Sequence, residues 1–545
     1  MRVPHTGVIA GSLCHMESSC APSQYFLIRL TQLAVGRTEP PKRPLGMVPR
    51  GSSEPQTLGS FSLESSIVQY LHDNTITTLT SASEDWAFFY LQKDRRQLIF
   101  GRDIFARKSL CWRTSLSENN NRLFEISTFP AAGPETLPNE HIPEHFVLRC
   151  LAFSTQVQAD TTTRAVSFFN RSALVEDALV KQFSISNFVQ LNGSRLLKPC
   201  ADVIVDVSDS LLSATIVEFH RRFVECVRGI LTRAASENND RTRQQRIAVL
   251  FSGGVDSLLV ALIAGEQVCR GTEILLINVA FGDSDAQCND APDRLRSKNA
   301  FKFLRKTAKA GVYFRLIFVD VGRKELVECR RSAISAAIAP LNSVLDDSLG
   351  CVLWFACRAR GVEFVDDENA KDDATRRPVV DFSGRADIDV VLVGSGADEQ
   401  LGGYARHRTV FERFGYARLA DELAMELERM GRRNYGRDDR IAISHGRTLM
   451  SPFLVEPFVE WLNGVPLTLK VDYSLPRGEG EKRLLRLVLT RQCGVPAPLA
   501  AQPKRAMQFG SRIAKFENRR EKGSEICERL ARKIDEEFSN ISVKN

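Results

Sequence analysis

Ile247-Ala-Val-Leu-Phe251, then Ser252-Gly253-Gly254-Val255-Asp256-Ser257, then Leu258-Leu-Val-Ala-Leu-Ile-Ala264: the reading of this run decides the fold. Five apolar residues read as a buried strand, and the apolar run after Ser257 reads as a helix. Two glycines at the junction let backbone N–H groups close on phosphate oxygens with no Cβ in the way. The helix N-terminus adds its positive end to the same anion site. Ser252 and Ser257 can donate hydroxyl hydrogen bonds. Asp256 cannot favour a bare phosphate, so it implies a divalent cation between carboxylate and phosphates. No lysine follows the glycines, which separates the loop from the Walker pattern. A glycine turn before a capped helix would give Ser-Gly-Gly too, but Asp256 and Ser257 go beyond that.

Strand and helix patterns alternate outward from this loop. ILLINVAF (274–281), YFRLIFVDV (313–321) and VVLVGSG (390–396) are continuous apolar strands, which argues a parallel sheet covered on both faces. Upstream, Ile216, Phe219, Phe223, Val227 and Ile230 fall at helical spacing, so a helix is predicted over 211–235. AFFYL and QLIFG, joined by polar residues between Trp86 and Trp112, have hairpin grammar. Residues 37–60 read as loop, 365–385 as a charged surface excursion, and the third after Arg406 as mostly helical. The chain divides near 200–210 into a β-rich part and a longer α/β part.

At 545 residues the chain exceeds one hydrophobic core. Apolar residues are 43% and charged residues 26%, the composition of a soluble globular protein. The net charge of +7 is dispersed, with no basic stripe interleaved with aromatics, so nucleic acid is not an expected partner. No run approaches the roughly 20 apolar residues of a membrane span. Its 13 cysteines never fall as C-x-x-C, and Cys351 and Cys357 read as core thiols. Only Glu17 is acidic before Glu39, which leaves a transit segment open, but a cytoplasmic location is the expectation.

Ser252–Ser257 resembles the signature of the N-type ATP pyrophosphatases. A second segment, Gly394-Ser-Gly396-Ala-Asp398-Glu-Gln-Leu-Gly-Gly-Tyr404, resembles the G-x-G-S-D-E-x-F-G-G-Y block of asparagine synthetases. The segments Ala291–Arg294, NSVLDDSLGCVLWFA from Asn342, GRDDR (436–440), SPFL (451–454), LPRGEGEKRLLR (475–486) and PKRAMQFGSRIAK (503–515) resemble the asparagine synthetase domain-containing proteins more closely than the housekeeping enzymes. The resemblance covers roughly 245–515. It reaches more weakly into EDWAFFYL (84–91) and GRDIFARKSLCWR (101–113), which resemble the tail of a class II glutamine amidotransferase domain.

The resemblance implies a glutamine amidotransferase-like domain over 1–205, incomplete, with an αββα (Ntn-type) fold. Over 206–545 it implies a parallel-sheet PP-loop domain, adenine nucleotide α-hydrolase-like, with a helical C-terminal extension. It implies ATP and Mg²⁺, a carboxylate such as aspartate activated as its adenylate, and ammonia or glutamine as amine source; oligomeric state stays open. Ser252, Gly253, Gly254, Asp256, Ser257 and Gly396 match the nucleotide site, and Asp256 and Asp398 the metal-associated acids. Lys504 matches a lysine that steadies the adenylation transition state, with Lys482 the alternative, though its EKRLLR setting also reads as an amphipathic helix face. His407 and His445 read as structural.

Three departures bear on activity. Class II glutaminases need a cysteine after the initiator methionine, whereas this chain begins Met1-Arg2-Val3, so the glutaminase half is expected to be inactive or its start to lie elsewhere. Ser395 stands where asparagine synthetases carry a glutamate able to accept a proton from ammonia. Thr448, Met450 and Val455 replace charged residues of the family's H-G-x-E-x-R-x-P-F-L-D segment. The expected activity is an ATP-dependent amide-forming ligase. The alternatives are a degenerate nucleotide-binding or protein-interaction member, or a sulfur-transfer enzyme acting on tRNA, which would want a catalytic cysteine pair and a basic extension.

Overall fold

A computed structural model describes residues 208–237, 246–365 apart from 340 and 342, and 379–517 apart from 385 and 386. Upstream it describes Asp103, Phe105, Arg107–Ser109 and the backbone of ten strands.

The C-terminal part is built on a seven-stranded sheet. Its strands are β1 (Arg246–Leu250), β2 (Glu273–Phe281), β3 (Tyr313–Val321), β4 (Arg360–Glu363), β5 (Val379–Asp381), β6 (Val390–Leu392) and β7 (Leu449–Met450), in the order β5-β4-β3-β2-β1-β6-β7. The pairs β1·β2, β2·β3, β1·β6 and β6·β7 are parallel. Alternate residues of each central strand serve opposite layers, which is why these strands are apolar throughout. Leu275, Ile277, Val279 and Phe281 of β2 belong to one core cluster, and Ile274 and Leu276 to the other.

The second of those layers holds α1 (Asp209–Glu237), α2 (Val255–Gln267) and α3 (Pro292–Thr307). Leu258, Leu259, Val260 and Ile263 of α2 are all buried, each contributing roughly 1.5–3 kcal/mol of transfer free energy. The other layer holds α4 (Val344–Arg358), with Cys351 and Cys357 as core thiols, as the sequence predicts. Beyond β6 come α5 (Ala397–Gln400), α6 (Ala405–Arg433), α7 (Glu456–Gly464) and α8 (Arg483–Arg491), which bear out the mostly helical reading after Arg406 as far as residue 517; residues 518–545 lie outside the described residues.

The wholly parallel sheet needs one correction. β4 pairs antiparallel with β3, and β5 antiparallel with β4. This ribbon carries charge, and Arg315 of β3 holds Glu363 of β4 with a 2.6 Å ion pair, so its strands lack the apolar signature of the centre.

The upstream strands form two further five-stranded sheets. One runs Val8–Ala10, Ala87–Gln92, Gln97–Arg102, Val147–Phe153, Asn187–Leu191; the other runs Glu140–Pro143, Tyr25–Thr31, Arg122–Ser127, Cys111–Leu116, Ser167–Phe168. Ala87–Gln92 and Gln97–Arg102 pair antiparallel, as the hairpin reading predicts. The helices of an αββα arrangement, the boundary at 205, residues 37–60, the first seven residues and most of 365–385 lie outside the described residues. No helix among the described residues is long and apolar enough to cross a membrane.

Candidate active site

The site grows from two strand-to-helix junctions at one sheet edge. The ladder continues past β1 through Phe251 N, which donates to Ile277 O at 2.8 Å, and the chain then turns over Ser252–Gly254. Gly253 has φ +72°, and a Cβ there would come 2.5 Å from the backbone of Arg296 and Ser297, so both conformation and space require glycine. Gly254 is the N-cap of α2 and supplies no side-chain cap, leaving the first-turn N–H groups open to an anion. Ser257 Oγ donates to Gly254 O at 3.1 Å, and Ser252 Oγ lies 3.4 Å from it.

β6 delivers the second loop to the same place. A Cβ on Gly394 would stand 2.8 Å from Asp256 Cβ, so the loops are in contact. Gly396 takes φ +90° and opens α5, whose first turn presents Asp398. Gly403 closes the cradle: any Cβ there would overlap Asp398 Oδ1 and Lys482 Cε.

Asp256 and Asp398 are joined by two lysines. Lys482 Nζ is 2.5 Å from Asp256 Oδ2 and 2.7 Å from Asp398 Oδ1, and its side chain is fully buried. Lys504 Nζ is 2.6 Å from Asp398 Oδ2 and 3.8 Å from Asp256 Oδ2, with 30% of the side chain exposed. Lys482 is therefore no solvated helix-face residue. It precedes α8 in the left-handed region (φ +54°), which turns its side chain inward. Both candidate lysines are present, one sealed beneath the acids and one at the solvent side.

Burial pushes the Asp398 carboxyl up, but Lys482 and Lys504 outweigh it and hold it well below the usual carboxylate range. Burial lowers Lys504, but Asp398 and Asp256 more than reverse this and keep the ammonium protonated. Neighbouring Glu399 moves the other way: burial and the Asp398 charge push it up to about 7, while Tyr404 Oη donates to Glu399 Oε1 at 2.5 Å.

Lys504 is carried in by the segment after α8. Arg296 donates to Pro503 O at 2.8 Å, and Phe281 N donates to Ser511 O at 3.0 Å. Gly510 sits so close to the buried Asp293 carboxyl that a Cβ would overlap it. Burial pushes Asp293 up to about 7, despite Arg296, Lys504 and Arg505 nearby. Sequence reasoning singled out neither Asp293 nor Glu399 for the site, although Ala291–Arg294 and the Asp-Glu pair both fell in family segments.

His407 is fully buried and His445 half-buried, and the Nε2 atom of each lacks a hydrogen-bond partner among the described residues, so neither is the fully satisfied histidine expected. Burial lowers them to about 3 and about 4, and His407 Nδ1 accepts from Tyr404 N at 3.3 Å. Ser395 is half-buried, its carbonyl accepting from Ser451 Oγ at 2.6 Å. Met450 is buried in β7.

A magnesium ion suits this donor set, because Mg²⁺ commonly takes one or two carboxylates with the substrate's phosphates. Asp256 Oδ1 is a buried acceptor with no hydrogen-bond partner, the kind of atom a cation completes. No cluster of three or more His, Cys, Asp or Glu that could hold a metal occurs among the described residues, so Asp256 and Asp398 would share the ion with the substrate's phosphates.

Comparisons with known proteins identify the family. The asparagine synthase family model matches residues 412–538. Asparagine synthetase domain-containing protein 1 of Gallus gallus is 32% identical over 542 residues, covering 84% of this chain and 82% of that protein. The protein of the same name from Homo sapiens is 31% identical over 530 residues, covering 82% and 79%. A putative asparagine synthetase [glutamine-hydrolyzing] 1 of Methanocaldococcus jannaschii is 25% identical over 328 residues, covering 54% and 52%.

Proposed function

The chain belongs to the family of asparagine synthetase domain-containing proteins, and from that premise we propose an ATP-dependent amide-forming ligase that activates a carboxylate as its adenylate. The observation that carries this reading is the meeting of Asp256 and Asp398 beside an uncapped helix N-terminus, with Lys482 and Lys504 against both acids.

In this reading the N–H groups of Gly253, Gly254 and the first turn of α2 cradle the ATP phosphates, with the Ser252 and Ser257 hydroxyls beside them. Asp256 and Asp398 would hold Mg²⁺, which supplies charge neutralisation on the pyrophosphate. A substrate carboxylate oxygen attacks the α-phosphorus and the bond to the β-phosphate bridging oxygen breaks. Lys504, kept protonated by the two aspartates, faces the charge that develops there, and buried Lys482 fixes the aspartates in place. An amine then attacks the acyl carbon and AMP leaves. Aspartate is the carboxylate suggested by family resemblance, ammonia or glutamine the amine source, and the cytoplasm the compartment.

A second reading has a specific observation in its favour. Ser395 cannot take the amine's proton as the glutamate of asparagine synthetases would, which fits a member that binds nucleotide without completing amide synthesis. Pyrophosphate release from Mg-ATP by the full chain separates the two, using a panel of carboxylates with and without ammonium. Release that depends on one carboxylate and vanishes in Asp256→Ala supports the ligase. Nucleotide binding with no release above that variant supports the second reading.

A further inference from the structure

Asp103, Phe105, Arg107 and Ser109 of the upstream part pack into the α/β part, and their hydrogen bonds end on Leu454, Glu456 and Asp439, behind the loop that carries Asp398. Asp103 is fully buried, and one of its carboxylate oxygens accepts from Phe105 N and Arg107 Nε at 3.0 Å each. The other oxygen accepts from Arg107 N at 3.0 Å. This local clasp presets the Arg107 guanidinium. Arg107 Nη1 then donates to Leu454 O at 3.2 Å, and Nη2 donates to buried Glu456 Oε1 at 2.8 Å. Phe105 enters the same core cluster as β2 and α4, and Ser109 N donates to Asp439 Oδ2 at 2.6 Å.

What Arg107 holds is the 454–456 segment that lies behind the second loop. Leu454 packs directly on Gly396, where a Cβ would come within 2.6 Å of Leu454 Cδ2. Gln400 Nε2 ties Phe453 O (2.7 Å) to Gly396 O (3.0 Å), and Ser451 Oγ ties to Ser395 O at 2.6 Å. Three stations of 451–454 therefore brace the loop that ends in Asp398, and Arg107 braces the third from behind. A planar fork bonded on three sides fixes position more tightly than a point charge would.

We propose that Asp103, Phe105, Arg107 and Ser109 form a strap through which the upstream part positions the Gly394–Gly403 loop, with Arg107 as a positioning residue for Asp398. The consequence for catalysis rests on the adenylation reading, whereas the positioning itself does not. It gives the upstream part work to do even where no glutaminase chemistry runs.

The test uses the full chain with Arg107→Met and Arg107→Lys and reads amide hydrogen exchange. The reporters are Ala397, Gln400, Leu401 and Gly403, whose N–H groups bond to carbonyls within the loop, and β2 serves as the core control. Arg107→Met should speed exchange across 397–403 by about tenfold with β2 unchanged, and Arg107→Lys should fall between it and wild type. Half-saturation by Mg-ATP should rise in the same order. Unchanged loop exchange in a folded variant overturns the strap. Exchange that rises equally in β2 also overturns it, because Arg107 would then only support the fold. Should Arg107→Met not fold, Glu456→Gln removes the partner's charge at constant shape and is read by the same two outcomes. Wild-type protein that releases no pyrophosphate, yet shows the loop-specific change on substitution, would defeat the adenylation reading and leave the strap standing.

Discussion

Replacing Lys482 by methionine removes one ammonium and little else. The side chain is fully buried and Nζ lies 2.5 Å from Asp256 and 2.7 Å from Asp398. Methionine keeps the apolar stem, and as another non-glycine residue it meets the same φ of +54°, so backbone strain cancels in the comparison. Breaking a buried ion pair by deleting one partner costs about 3–5 kcal/mol. Lys504 still neutralises Asp398 at 2.6 Å and reaches Asp256 at 3.8 Å, which places the loss at the low end, about 3 kcal/mol. At roughly 2–4 °C per kcal/mol for a domain of this class, the variant should melt roughly 6–12 °C lower. Magnesium should then stabilise the variant more than wild type, since the ion fills a charge deficit in one and competes with an ammonium in the other. At about 100-fold excess over its dissociation constant the gain is about 2.7 kcal/mol. Scanning calorimetry with and without Mg²⁺ measures both effects, and pyrophosphate release should fall about 10²–10³-fold. A variant melting within about 2 °C of wild type, indifferent to Mg²⁺, refutes the argument that Lys482 is the internal counter-ion of two ionised acids.

Gly403→Ala places a methyl group against Asp398 and Lys482 and should destabilise the domain by about 1–3 kcal/mol while abolishing Mg-ATP binding, measured by calorimetric titration. Normal binding would show that the cradle is slack. Asp293→Asn tests the buried acid under Gly510. From the ordinary 3.8 up to about 7 the unfolded chain releases a proton that folded Asp293 keeps, so stability falls as pH rises through that window and levels off above it. Across about 3 pH units this amounts to about 4 kcal/mol. Melting curves should therefore show the Asp293→Asn variant gaining on wild type from about pH 4 to about pH 8. Glu399, pushed up to about 7, keeps part of the slope in both. Parallel curves would mean that Asp293 ionises freely.

The central strands and α2 were legible because burial on two faces and on a helix both leave apolar periodicity, as in ILLINVAF over β2. Asp256 and Asp398 were legible as carboxylates in glycine-rich junctions, and the topology that brings β1 beside β6 then sets their loops in contact. The β4–β5 ribbon was hidden because its strands are short and carry Arg360, Glu363 and Asp381. Lys482 was ambiguous for a backbone reason: helical spacing in EKRLLR says nothing about the left-handed residue that starts α8. Arg107 and Glu456 stand 349 positions apart, and no local pattern announces such a pair. Gly403 and Gly510 are invisible for the same cause, since what their missing Cβ makes room for comes from distant segments.

Oxygen transfer from substrate to nucleotide tests the adenylate most directly. Aspartate labelled with ¹⁸O in its side-chain carboxylate is incubated with the full chain, Mg-ATP and ammonium, and the AMP formed is weighed by mass spectrometry. The account predicts AMP carrying one ¹⁸O, because the attacking carboxylate oxygen stays on the α-phosphate when the amine displaces it. Unlabelled AMP, or ADP in its place, would contradict it.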